Sequence, residues 1–415
     1  MSYLHRAADQ QLDQLLPYVS AIAIEGLKGV GKTETAQRRS TTTLKLDYPS
    51  DQQIIAADPY FTFAPEGTIL LDEWQKLPQT WDYVRRNIDA GAPAERFILT
   101  GSATPIAGTD THSGAGRILS LRMRPLALFE RTPQHATISL RELFSGTATI
   151  SGQTHFTLEN YVHAIASSGF PGFYEAPEPV RNAQLDSYLN RIVDRDLPDQ
   201  GYTVRNRAGL LQWLRAYAAA SSTTTSYSTI RNMAISDKGQ KPAKTTTLVY
   251  REKLAEIWML DEVPAWDFSR SPFTGLARAP KHQLADPAFV LRLLNINESQ
   301  LLSSRFSHLI GPLFESLATL SVRVATHALL GTVSHFRTQK GDHEVDLIAQ
   351  DQNGSLLAIE VKLTAHVRDE DVRHLLWLKK QLPQDITDTI ILTTGERAYR
   401  RADGVAVIPL ALLGL

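Results

Sequence analysis

Gly26-Leu27-Lys28-Gly29-Val30-Gly31-Lys32-Thr33 follows the apolar run Ala21-Ile22-Ala23-Ile24 and precedes a segment able to form a helix. Strand, glycine-rich loop and helix N-terminus in that order make a phosphate-binding P-loop. The glycines let backbone N–H groups turn inward around an anion, and the helix dipole adds to the attraction. The expected nucleotide contacts are Gly26, Lys28, Gly29, Gly31, Lys32 and Thr33. Lys32 is expected to reach the β- and γ-phosphates, and the Thr33 hydroxyl to ligate Mg²⁺. A glycine turn with no ligand gives similar letters, so a second element carries weight. Thr68-Ile69-Leu70-Leu71-Asp72-Glu73 reads as a buried strand ending in two carboxylates. Asp72 would hold Mg²⁺ through water, and Glu73 would polarise the attacking water. ATP and Mg²⁺ are the expected cofactors.

At 415 residues the chain has room for two or three domains, each large enough for its own core. Formal net charge is −1, so the overall balance does not announce a nucleic-acid binder, although charge can be segregated between domains. Cysteine is absent, which excludes disulfides and thiolate-metal sites. Arg6, Asp9 and Asp13 interrupt the first residues, so no signal peptide is evident. No apolar stretch approaches the roughly 20 residues of a membrane span. These features predict a cytoplasmic protein without membrane contact.

Residues 1–145 alternate strand and helix patterns, which predicts an α/β domain with a mainly parallel sheet. Leu44–Asp47, Thr68–Leu71 and Arg96–Ser102 are the candidate strands after the first. The last of these ends in hydroxyl residues, and Thr100 or Ser102 suits a sensor of the γ-phosphate; a plain Thr-Gly-Ser turn is the alternative. Ala107–Gly116 is a loop by composition. Arg117 follows it and is the candidate for a charge donated to the γ-phosphate, in cis or from a neighbouring subunit. A solvated surface arginine is the competing reading.

Several pieces together carry a resemblance. They are Tyr3-Leu4-His5-Arg6, the loop from Glu25 to Thr33, Leu70 to Pro78, Ile98 to Ser102, and Gly116-Arg117 followed by Met123-Arg124-Pro125-Leu126 and Phe129-Glu130. Pro280 to Pro287 and Gly311-Pro312-Leu313-Phe314-Glu315 continue it. Across nearly its full length the chain resembles the AAA-type ATPases of bacteria and archaea that carry a C-terminal domain of unknown function. The resemblance implies ATP hydrolysis and leaves the cellular task open. Lys28 departs from the family's more frequent arginine, and Trp74 from a smaller aliphatic residue. Neither touches the phosphate chemistry.

Residues 146–300 are expected to be mostly helical. Leu158–Ala166 and Arg181–Asp194 show helical spacing, and Arg191, Arg195 and Asp196 close the second as a candidate lid contact or a solvated face. Gly209–Ala220, Ile230–Ile235 and Thr245–Leu260, followed by an extended apolar exit, read as a winged-helix-like unit. Between residues 201 and 253, Arg205, Arg207, Arg215, Arg231, Lys238, Lys241, Lys244, Arg251 and Lys253 face only Asp237 and Glu252. Such an excess can meet the phosphate backbone of DNA or RNA. It can also face an acidic domain of the same chain.

Residues 301–415 begin with an amphipathic helix, Gly311–His327, containing Glu315. Val333–Arg337, His343–Gln350 and Leu356–Leu363 are strand-like, and Asn353-Gly354 predicts a hairpin turn. A helix at Val367–Leu382 and strands at Thr389–Thr393 and Val405–Pro409 complete an order that resembles the core of PD-(D/E)XK nucleases. Alternation puts Glu360 and Lys362 on one strand face, and hairpin pairing brings Asp346 beside them. Asp346 and Glu360, with Glu315 in support, are expected to bind Mg²⁺, and Lys362 to orient the nucleophile or offset charge. A buried Glu360–Lys362 pair in an inactive domain is the alternative. The histidines lack a paired ligand spacing and read as ordinary residues.

The leading expectation is ATP-driven action on nucleic acid, with the C-terminal domain cutting or gripping it. The alternative is an ATP-dependent regulator or adaptor that contacts a protein partner, with an inactive nuclease-like domain. A homo-oligomer is compatible with either.

Overall fold

The computed structural model describes residues 3–102, 114–235, 241–266, 279–338 and 341–415. Most of the loop expected at Ala107–Gly116, together with Asp237 and Lys238 of the basic segment, lies outside them.

Helix α1 (Ala7–Leu15) leads into β1 (Ala21–Glu25), the P-loop and α2 (Lys32–Gln37). Then come β2 (Thr42–Lys45), α3 (Pro49–Ala57), β3 (Ile69–Asp72), α4 (Gln79–Asp89), β4 (Phe97–Gly101) and β5 (Ile118–Arg122). The five strands form one sheet in the order β2-β3-β4-β1-β5, and every pairing is parallel. The central strands β1, β3 and β4 are buried on both faces because both are covered, while the edge strands β2 and β5 carry polar, partly exposed residues. Ala21, Ala23, Leu71 and Leu99 pack with Trp81 and Val84 of α4. Ile22, Ile24, Leu70 and Ile98 join a second cluster that contains Leu12 of α1. This is the predicted parallel sheet, with β5 as a further strand that the sequence pattern does not announce.

A short connection carries α5 (Leu128–Arg131), β6 (Ile138–Ser139), α6 (Leu140–Ser145) and β7 (Gly152–Gln153). The middle of the chain holds α7 (Leu158–Ala166), α8 (Glu178–Arg191), a π-helical turn at Ile192–Asp196, and α9 (Leu197–Asp199). It continues with α10 (Arg207–Ala219), α11 (Tyr227–Met233) and α12 (Lys244–Glu256). Asn206 and Ser226 cap α10 and α11 through their side-chain oxygens, which stops the preceding loops from extending those helices. Two antiparallel bridges, Leu260 with Leu284 and Val263 with Lys281, follow the three helices. Helices α13 (Pro287–Leu293) and α14 (Glu298–Leu301) complete the segment.

The C-terminal part begins with α15 (Ile310–Ala328) and continues through β8 (Thr332–Arg337), β9 (Glu344–Gln350), β10 (Leu356–Lys362) and α16 (Asp369–Gln381). It ends with β11 (Ile386–Thr393), β12 (Arg397–Arg400), β13 (Ala406–Pro409) and β14 (Leu413–Gly414). A seven-stranded sheet runs β7-β12-β13-β11-β10-β9-β8. Strands β9 and β10 form the expected hairpin, in which Asp351 accepts hydrogen bonds from the Asn353 and Ser355 N–H groups and Gly354 takes φ +88°.

One apolar cluster is confined to the P-loop half and another to the C-terminal sheet, and a third crosses the segments. This third cluster runs from Ile22 and Ile24 of β1 through Phe170 and Leu214 to Phe314 and Ile408. Strand β7 joins the C-terminal sheet at its edge, and β14 returns to pair with β6. Apolar faces of the three segments thus meet in this shared cluster.

Candidate functional site at the P-loop

The loop backbone depends on glycine at two places. Gly26 has φ +148°, and a Cβ there would lie 2.2 Å from the Met123 carbonyl oxygen. Gly31 caps α2 with φ +103°, a conformation strained for any residue with a Cβ. Lys32 is buried, and its ammonium donates to the carbonyls of Gly26 and Leu27, each at 2.8 Å. Burial pulls its pKa down to about 8 against the opposing pull of Glu73 and Asp72.

Parallel pairing of β3 and β4 places Asp72 beside Thr100 at the C-terminal edge of the sheet. Thr33 Oγ1 donates to Asp72 Oδ1 at 2.8 Å, and Thr100 donates to the same oxygen. Glu73 adopts φ +55°, a left-handed conformation that costs a non-glycine residue of order 1 kcal/mol and is held by its surroundings. Its Oε2 accepts from Gln75 Nε2 at 2.6 Å, and Gln75 also donates to Ser102 Oγ at 3.1 Å. The sheet therefore brings Lys32, Thr33, Asp72, Glu73, Thr100 and Ser102 to one edge. These residues fit a nucleotide with Mg²⁺: the loop is a glycine cradle, and a hydroxyl and a carboxylate meet beside it.

Three contributors carry no signal in the sequence. Gln75 links Glu73 to Ser102. Tyr188 of α8 donates to the Lys28 carbonyl at 2.9 Å and lines the cleft beside the loop, together with Asp196 and Ile257. Lys76 meets Asp199 of α9 at 3.2 Å across the same cleft. Arg191 and Arg195 are exposed, while Asp196 lines the cleft. Arg6 is buried and donates to the carbonyls of Val30 and Arg124, each at 2.8 Å, while Glu130 pairs with it at 3.1 Å. No spacing in the sequence joins Arg6 to Glu130.

The cis reading of Arg117 is the one that the strand register corrects. Arg117 precedes β5, which pairs with β1 from Ala21 opposite Ile118 to Glu25 opposite Arg122. The P-loop follows Glu25, so Arg117 lies at the opposite end of the sheet and cannot serve its own chain's nucleotide. There it pairs with Asp89 at 2.9 Å. The far end of β5 meets a different set of arginines, Arg122 at its last residue, Arg124 just beyond it and Arg323 from α15. Arg122, Arg124 and Arg323 meet Asp261 at 2.9, 2.6 and 3.0 Å. Burial opposes ionisation of Asp261, but the three guanidinium groups hold its pKa well below the carboxylate range.

The basic segment is less free than its composition suggests. Arg207 pairs with Asp194 at 2.7 Å, Lys253 pairs with Glu256 at 2.7 Å, and Arg251 lies over the Tyr227 ring. Arg205, Arg215, Lys241 and Lys244 are exposed.

In the C-terminal sheet the expected residues converge, but not as a metal centre. Asp346 Oδ2 accepts from the Val361 N–H at 2.9 Å, and Lys362 Nζ meets Glu360 Oε1 at 2.7 Å. The ammonium of Lys281 lies 2.8 Å from Glu315 and 2.9 Å from Asp346. Among the described residues no group of three or more His, Cys, Asp or Glu is arranged to hold a metal ion. The expected Mg²⁺ site at Asp346, Glu360 and Glu315 is thus corrected: a buried lysine stands where the cation would stand. Burial and the neighbouring Asp346 charge push Glu315 and Glu360 each up to about 8.

This geometry defines a P-loop nucleotide site. Residues 19–132 match the family model of an AAA domain, which supports a P-loop ATPase that binds ATP. Residues 158–300 and 310–413 match two domains of unknown function, DUF8612 and DUF4143. The uncharacterized proteins Rv2008c of Mycobacterium tuberculosis and Mb2031c of Mycobacterium bovis are each 21% identical over 97% of this chain and 83% of their own length. Among solved structures, the Walker-type ATPase PABY2304 of Pyrococcus abyssi is 13% identical, covering 70% of this chain and 96% of that one, with a TM-score of 0.43. The Drosophila ORC bound to DNA is 12% identical over 70% of this chain and 94% of that one, with a TM-score of 0.26. Among the described residues no helix is long and apolar enough to cross a membrane.

Proposed function

We propose that this chain hydrolyses ATP at the P-loop and uses the cycle to act on nucleic acid through its middle region. The observation that carries the hydrolytic part is the pair of hydrogen bonds from Thr33 and Thr100 to Asp72, with Glu73 next in the chain. Mg²⁺, when bound with ATP, supplies positive charge to the phosphates. Thr33 and Asp72 would hold it, Lys32, Lys28 and the amides of Gly26, Gly29 and Gly31 would hold the phosphates, and Glu73 would orient water. Thr100, joined to Asp72, and Ser102, joined to Glu73 through Gln75, would sense the γ-phosphate. Arg117 has a role only if it enters a neighbouring subunit's site.

Three helices followed by two antiparallel bridges suit a winged-helix-like unit, and exposed Arg205, Arg215, Lys241 and Lys244 suit a phosphate backbone. Measuring ATP turnover with single-stranded DNA, duplex DNA and RNA tests the reading. Stimulation by one of them supports it, and no response to any of them contradicts the nucleic-acid part.

A second reading has its own observation. Lys281 between Glu315 and Asp346 favours a C-terminal domain that binds without cutting. In that reading the ATP state controls contact with a protein partner.

A further inference from the structure

Arg131 ends α5 and Arg181 lies in α8, yet both line one cavity of about 400 Å³. None of the described residues that line it also lines the cleft beside the P-loop. Arg181 is 2% exposed; its Nη1 donates to the Ala176 carbonyl at 3.1 Å, and its Nε has no hydrogen-bond partner. Arg131 Nη1 donates to the carbonyls of Ala164 and Ser168 at 2.7 and 2.9 Å, and its Nε is likewise unpartnered.

The carboxylates around these two cations are engaged elsewhere. Glu130 pairs with Arg6 at 3.1 Å, and Asp286 accepts from the Ser168 hydroxyl at 2.8 Å. Glu298 is shared between Arg181, at 3.5 Å, and His163, at 3.1 Å. Glu175 lines the cavity but is exposed and accepts from the Tyr174 hydroxyl at 2.8 Å. Burial pulls the pKa of the Arg131 guanidinium below its ordinary value, with Asp286 and Glu130 opposing from a distance. A buried cation short of counter-charge and buried N–H groups short of acceptors are both costly.

We propose that this cavity binds a small organic oxyanion, a carboxylate or a phosphate monoester, carried on an apolar body. An oxyanion seated against Arg131 and Arg181 supplies the missing negative charge, and the planar guanidinium fork suits either group. Leu128, Phe156 and Ala164 give the body an apolar wall, while Thr132 and Asn160 add polar groups beside it. Small-molecule sites are mostly apolar, carry a few placed polar groups and span roughly 300–1,000 Å³, which this cavity matches.

The test is isothermal titration calorimetry on the full chain, its P-loop saturated with ADP and Mg²⁺. Benzoate and phenyl phosphate are the probes, and benzamide is the uncharged control. The parent should take up one equivalent of at least one probe, and the tighter of the two identifies carboxylate or phosphate as the group that is read. Arg131→Gln should weaken that binding at least about tenfold, the effect of losing one charge-assisted hydrogen bond, and benzamide should fall short of the better probe by as much. Ala176→Leu keeps both arginines and fills part of the cavity; it should weaken binding too, and it serves if Arg131→Gln does not fold. Uptake of neither probe at millimolar concentration overturns the proposal. So does uptake that both variants leave unchanged, or benzamide binding as tight as that of the anions.

Discussion

The Thr33 hydroxyl donates a 2.8 Å hydrogen bond to Asp72 Oδ1 across 39 positions of sequence. It joins the start of α2 to the end of β3, and Thr100 at the end of β4 meets the same oxygen. Three segments that the chain presents far apart are thus linked at one sheet edge, where open parallel sheets bind ligands.

Asp261 is the charge on which three arginines depend. Asp261→Asn leaves the buried Arg124 and Arg323 and the partly buried Arg122 beside a neutral amide. Removing one member of such a cluster costs about 3–5 kcal/mol. Chemical denaturation should show a loss of that size; a change below about 1 kcal/mol would show that the cluster is not held by this carboxylate.

His327 makes stability acid-sensitive. Burial, then Arg124 and Arg323, hold its pKa down at about 2, and its Nδ1 lies 2.9 Å from Arg124 Nη1. The folded state therefore keeps the ring neutral, while the unfolded chain takes up a proton below about pH 6.5. The stabilising effect is complete above that pH and is lost as pH falls, at up to about 1.4 kcal/mol per pH unit. His327→Gln should flatten the decline between pH 6.5 and 4 in denaturation curves. Parallel declines for parent and variant would contradict this assignment.

Much of the P-loop half is legible in the sequence because its motifs are local. Gly26 to Thr33 and Leu70 to Glu73 each carry their own context, and parallel pairing follows from apolar runs separated by helices. Arg117 is misplaced by the sequence because distance along the chain from the loop says nothing about which end of a strand a residue occupies. The pairing of Ala21 with Ile118 decides it. In the C-terminal sheet, alternation and the Asn353-Gly354 turn are enough to bring Asp346 near Glu360. Lys281 is invisible as their partner because it reaches Asp346 across 65 positions from another segment. No local pattern assigns its charge to either region.

Arg117→Ala should leave ATP turnover within about twofold of the parent. Its pairing with Asp89 is half-exposed, and such pairs contribute about 0–1 kcal/mol. A fall of about 10³-fold or more at saturating ATP would place this arginine in a neighbour's site, where such a residue has effects of that size.

The basic middle segment predicts salt-dependent binding. Replacing Arg231, Lys241 and Lys244 by alanine should weaken binding to DNA or RNA. It should also flatten the plot of log affinity against log salt by roughly 0.7–0.9 for each phosphate no longer neutralised. Filter binding between low and moderate salt measures both quantities. An unchanged slope would remove these residues from the interface.

The central claim is ATP hydrolysis by Lys32, Thr33, Asp72 and Glu73, and paired ATP-binding and turnover measurements on Lys32→Ala and Glu73→Gln test it most directly. Lys32→Ala should weaken binding by at least about tenfold, because the phosphates no longer meet a buried ammonium. Glu73→Gln should bind ATP as the parent does and turn it over about 10²-fold more slowly, because the cradle remains and the water-orienting carboxylate is gone. Parental turnover in Glu73→Gln, or undiminished binding in Lys32→Ala, would contradict the account.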